Sequence, residues 1–159
     1  MILDLLAKRQ DEWLRMAAKF GSNPKDSLQE AYIKMYDRFK DEPEKIEAME
    51  AGQLAMYMYL TIRSVSADRF KGKIELVALE GAVESIEDPY DLEEDRQIER
   101  DLDTIHNELN KWHWYDQKLL TIHTIEGMSM REISRETGIS LSSIFHTIKT
   151  CKQKLRNKL

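Results

Sequence analysis

The 159-residue chain is 42% hydrophobic and 33% charged, with a net charge of −5 and a mean hydropathy of −0.58. That balance supports compact cores in a water-soluble chain, and no uninterrupted apolar run is long enough to span a bilayer. Cys151 is the only cysteine, which excludes an intramolecular disulfide and points to a reducing, cytoplasmic setting.

Glycine and proline are sparse, which favours long helices over a strand-rich fold. The start, MILDLLAKRQ, carries Asp4 inside its apolar stretch and lacks a basic leading segment, so it does not read as a signal peptide. Residues 3–20 place Leu3, Leu6, Trp13, Leu14, Ala17 and Phe20 at spacings that predict one buried helical face. Gly21-Ser22-Asn23-Pro24 breaks it. Asn23 as N-cap with Pro24 in the first helical position is a favoured start. The next helix is expected to run to about Phe39, with Leu28, Tyr32, Met35, Tyr36 and Phe39 inward. Asp41-Glu42-Pro43 is a second break, followed by a segment carrying Ile46 and Met49 that Gly52 is expected to close. The longest apolar helix then begins near Leu54 and repeats through Met58, Ile62 and Val65, ending in Asp68-Arg69-Phe70-Lys71-Gly72-Lys73.

Residues 84–103 hold ten Asp or Glu against two Arg, and the run from Glu84 to Asp95 reads as a self-repelling acidic spacer. Helical spacing returns from about Leu92 through Ile98, Leu102, Ile105 and Leu109. Trp112-His113-Trp114-Tyr115 interrupts it, with Asp116 as the expected cap of a helix through Leu119, Leu120, Ile122 and Ile125. These aromatics read as core beside a helix boundary rather than as a base-stacking platform. His106, His113 and His123 show no metal-ligand spacing. The expected architecture is all-α: a helical domain over 1–76, an acidic linker over 77–103, and a second helical domain over 104–159.

The C-terminal stretch EGMSMREISRETGIS carries the densest set of local signals. Ser129 is placed to cap a helix, with Glu132 three residues later as a capping box. Thr137-Gly138 ends that helix, because Gly138 suits the left-handed position after a helix C-terminus. Ile139 is expected to pack into the turn, and Ser140 to cap a second helix. Ile144, Ile148 and Leu155 give the second helix an inward face, leaving Ser142, Ser143, His146, Lys149 and Lys152 outside. Two capped helices around a glycine turn, the second polar and basic outside, form the arrangement that reads DNA. Residues 129–159 hold seven Lys or Arg against two Glu, so the acidic net charge does not oppose binding to phosphates.

Both halves resemble one family. KDSLQEAYIKMY, with Asp26, Gln29, Glu30, Ala31 and Tyr32, is similar to the start of region two of bacterial sigma factors. YMYLTIRSVSADRFKGK resembles the later helix of that region: Arg63 and Asp68 match, while Tyr57, Ser64 and Lys71 stand where the family usually has Trp, Asn and Arg. LLTIHTIEGMSMREISRETGISLSSIFHTIKTCKQKLRNKL is similar to region four over nearly its whole length. The chain therefore looks like a compact sigma factor that keeps only these two regions, of the extracytoplasmic-function-like kind, bacterial or phage-encoded.

What the resemblance implies is a non-catalytic transcription initiation factor. Asp26, Gln29 and Glu30 would dock on core RNA polymerase. Arg63, Ser64, Arg69, Lys71 and Lys73 would follow opened promoter DNA. Ser140, Ser142, Ser143, His146, Lys149 and Lys152 would meet double-stranded promoter DNA. No cofactor, metal or membrane is implied, and an anti-sigma factor would be a further partner. Two other readings of the same helices are a phage small terminase subunit, which packages DNA as a ring, and a helix-turn-helix repressor, which binds as a symmetric dimer.

Overall fold

The computed structural model describes residues 1–21, 23–71 and 92–158; side chains at 69–71, 92–96 and 99 lie outside that description. The described chain is helical: α1 Ile2–Ala7, α2 Gln10–Ala18, α3 Pro24–Phe39, α4 Pro43–Glu47, α5 Ala51–Lys71, α6 Leu92–Leu109, α7 Trp114–Thr124, α8 Met130–Thr137 and α9 Leu141–Arg156. No helix among the described residues is long and apolar enough to cross a membrane. Two compact units result, one holding α1–α5 with residues 131–140, the other holding α6, α7 and α9.

In the first unit, α5 is the central element. Leu54, Ala55, Met56, Met58, Tyr59, Ile62 and Val65 are all buried, so this helix is covered on most of its circumference. Against it pack α3, through Leu28, Ala31, Met35 and Phe39, and α2, through Trp13, Met16 and Ala17. Phe20 meets Tyr59 at 5.5 Å between ring centroids, and Phe39 meets Tyr57 edge-on at 5.3 Å. Gly52 does not separate α5 from what precedes it; it lies within the first turn.

The single helix expected over residues 3–20 is two. The chain leaves helical geometry at Arg9 (φ −118°, ψ 24°), and this changes which residues of the start face inward. Ile2 and Leu6 are buried, whereas Leu3 is exposed. Asn23 caps α3 as expected: its side-chain oxygen accepts from the Asp26 backbone N–H at 3.4 Å, with Pro24 in the first turn. Tyr36, expected inward, is exposed, because α5 and α2 cover the opposite side of α3.

Residues 131–140 close on themselves within this unit. The buried Thr137 hydroxyl donates to the Ile133 carbonyl at 2.6 Å and accepts from the Ile139 N–H at 3.3 Å. Ser134 Oγ donates to the Ile139 carbonyl at 2.6 Å. Gly138 takes φ 74°, which fits the left-handed residue expected there, and Ile139 is buried behind it. Lys19 Nζ donates to the Arg135 carbonyl at 2.8 Å and pairs with Glu136 at 3.5 Å, placing a cation at the C-terminal end of α8.

In the second unit α7 packs on α9, burying Tyr115, Leu119, Leu120 and Ile122 with Ile144, Ile148 and Cys151. The cap of α7 is His113, whose Nδ1 accepts from the Tyr115 N–H at 3.3 Å; Asp116, the expected cap, lies within the first turn. Gln117 donates to the Leu109 carbonyl, fastening the end of α6 to the start of α7. Lys154 lies 5.4 Å from the Trp112 ring, so that tryptophan is half-buried under a cation. Ile125 falls just past the end of α7 and is 78% exposed, not part of the inward face expected of it. α6 begins at Leu92, so the last residues of the expected spacer are helical; residues 84–91 lie outside the described residues.

Candidate nucleic-acid interface

Helix α9 separates its residues cleanly. Ile144, Ile148 and Cys151 are buried, and Leu155 is half-buried. Ser142, Ser143, His146, Lys149 and Lys152 are exposed, and the exposed Ser140 immediately precedes the helix. The helical period of 3.6 places Ser142, His146 and Lys149 in one row along the centre of the outer face. The helix as a whole carries the cations Lys149, Lys152, Lys154 and Arg156, of which Lys154 lies over the Trp112 ring, and no acidic residue. A phosphate meeting this helix would find cations and no carboxylate among the helix's own side chains.

Phe145 belongs to the same outer face and was missing from the expected set. It is 47% exposed, with Lys149 Nζ 6.0 Å from its ring centroid and the His146 ring 5.8 Å away, edge-on. Leu141, one turn earlier, is exposed too. The available signal was the helical position itself: Phe145 stands between Ser142 and Lys149, off the Ile144–Ile148 row.

The buried side of α9 contains the one thiol. Cys151 is pushed up to about 11 by burial, with the Asp116 carboxylate adding to the effect. It is a packing residue rather than a nucleophile. Among the described residues, no three His, Cys, Asp or Glu side chains gather as a metal site.

The residues assigned to opened DNA fall on α5 and beyond it. The Arg63 guanidinium lies 5.5 Å from the Tyr59 ring, one turn before it, and Ser64 is exposed. Arg69 and Lys71 belong to the last turn of α5, and their side chains lie outside the description, as does Lys73 entirely. Asp68, near that end, pairs with Lys34 of α3 at 3.0 Å.

On α3, Asp26, Gln29 and Glu30 are exposed together. Asp26 is also held by the Asn23 side-chain amide. Their row continues at helical spacing through Ile33, 61% exposed, to Tyr36 and Asp37. This gives a polar face with two apolar residues in it, its last carboxylate, Asp37, paired with Lys40 at 3.7 Å; only the polar start was expected. Ile33 carried a signal, an apolar side chain three residues beyond Glu30. Tyr36 carried none, since its spacing equally suits the core.

In comparisons with known proteins, the chain matches no protein-family model and no curated protein.

Proposed function

We propose that the chain is a sigma-like transcription initiation factor, which binds core RNA polymerase and directs it to promoter DNA. The observation that carries this reading is the outer face of α9: polar and cationic residues exposed as a row, on a helix without an acid. In this reading α8, the Gly138 turn and α9 act together as a helix-turn-helix, although residues 131–140 cluster with the N-terminal helices. Ser142, Ser143, His146 and Lys149 meet base edges and phosphates in the major groove, and Ser140 and Lys152 flank them.

The exposed face of α3 supports the second half of the proposal. Asp26, Gln29 and Glu30, extended by Ile33 and Tyr36, offer carboxylates around an apolar centre, the composition of a protein-docking patch. The proposal docks core polymerase on this face. Arg63, Ser64, Arg69, Lys71 and Lys73 serve the opened promoter strand. The layout is a first domain over 1–76, a linker over 77–103 and a DNA-reading domain over 104–159. The chain works in the bacterial or phage-infected cytoplasm and does not itself catalyse a reaction; an anti-sigma factor would act on it by covering one of these faces.

The test is co-elution of the purified chain with bacterial core RNA polymerase on a sizing column. Complex formation, lost when Asp26 and Glu30 are both changed to Lys, supports the proposal. Elution apart from polymerase as a large ring would move the reading to DNA packaging. Elution as a dimer that binds a palindromic duplex would move it to repression.

A further inference from the structure

We infer that Phe145, with Leu141 beside it, is a specificity element of the α9 face that packs against thymine methyl groups in the major groove. The inference rests on the reading of α9 as the DNA-facing helix, and adds to it which base the face selects.

The inner side of α9 is already complete. Ile144, Ile148 and Cys151 fill it, so Phe145 is not a core residue displaced to the surface. It stands three residues after Ser142 and four before Lys149, on the flank of the polar row. An aromatic ring left nearly half in water gains by covering its apolar area when a partner arrives. The charge around it decides what that partner is. Lys149 approaches the ring, Lys152 and Arg156 follow along the helix, and the helix itself carries no acid, so its side chains complement a polyanion. In the major groove of a duplex, the one apolar group among the base edges is the C5-methyl of thymine, and Phe is among the side chains suited to it. Serine and histidine on the same face donate to or accept from several bases. The ring is the feature with a single preferred base.

The experiment begins by selecting duplexes from a random-sequence pool with the full chain, alone and together with core RNA polymerase. Each thymine of the selected element is then replaced in turn by deoxyuridine, which removes only the methyl group. At one or two positions the replacement should weaken binding roughly three- to fivefold, the worth of one buried methyl. Phe145→Ala should show that loss on the thymine duplex and no further loss on the uracil one. Its helical circular-dichroism spectrum should match the parent's at the temperature of the binding assay, so that the loss is read on folded protein; the ring it removes is 47% exposed. Two results would overturn the inference: no uracil position weakens binding, or Phe145→Ala stays as sensitive to uracil as the parent. Lys149→Glu separates this failure from failure of the underlying reading. If Lys149→Glu abolishes binding while uracil has no effect, α9 faces DNA but Phe145 does not read thymine. If Lys149→Glu binds like the parent, or no duplex is enriched in either form, both the inference and the DNA-facing assignment of α9 fall.

Discussion

Trp13 Nε1 donates to the Leu6 carbonyl oxygen at 3.0 Å inside the core of the first unit. That oxygen is also approached by the Tyr32 hydroxyl at 3.4 Å and the Arg9 backbone N–H at 3.2 Å, so it joins α1, α2 and α3 at the point where the first helix breaks. The break is thereby satisfied: the carbonyl that α1 leaves open is bonded from three directions. Above it the Arg9 guanidinium binds both Glu12 carboxylate oxygens at 2.7 Å and lies 4.4 Å from the Trp13 ring.

Trp13→Phe should therefore lose a buried N–H donor and ring volume together, at a cost of about 2 kcal/mol. Urea unfolding followed by circular dichroism checks this, and a shift of the midpoint at unchanged slope is expected. An unchanged midpoint would show that the Leu6 carbonyl does not depend on the indole.

Gly127 and Gly138, the two glycines with positive φ among the described residues, should respond differently to alanine. Gly127 (φ 73°) has open space where a Cβ would stand, so Gly127→Ala should cost about 1 kcal/mol from backbone strain alone. At Gly138 a Cβ would meet Glu12 Oε1 at 3.0 Å, and Arg9 restrains that carboxylate. Gly138→Ala should thus cost more than Gly127→Ala. Pairing each with Glu12→Ala in thermal melts checks the reason: the second change should bring Gly138→Ala close to Gly127→Ala.

Cys151, buried and with its thiol at about 11, should resist alkylation in the folded chain. A thiol titrates from neutral to thiolate as pH rises, so at pH 8 only roughly a thousandth would be the reactive anion, before burial slows access further. Iodoacetamide labelling read by mass spectrometry should show modification in 8 M urea and almost none without it, where a surface thiol would be labelled in both.

Ile33→Asp should leave melting within roughly 0.5 kcal/mol of the parent, because the side chain it replaces is mostly in water. On the proposed function, the same change should abolish co-elution with core polymerase by placing a charge at the apolar centre of the α3 face. Retained co-elution with intact folding would remove Ile33 from the docking surface.

Local chemistry made several parts of this molecule legible from its residues. Asn23-Pro24 starts a helix because a side-chain acceptor and a fixed φ act within one turn. Thr137-Gly138 ends one because glycine reaches a positive φ without a Cβ clash. The Ile144–Ile148 row needs only the helical period to set Ser142, His146 and Lys149 on the other side. The signals that position the α9 face therefore lie within a few residues of one another. Coverage is a different matter. Ile2 replaced Leu3 inside, Tyr36 and Ile125 stayed in water, and Ile33 and Phe145 joined candidate surfaces, because an apolar residue records a tendency to be buried without naming the helix that will bury it. Likewise the Leu6 carbonyl, bonded by Trp13 seven residues on and by Tyr32 twenty-six residues on, owes its satisfaction to helices that meet only when the chain has folded.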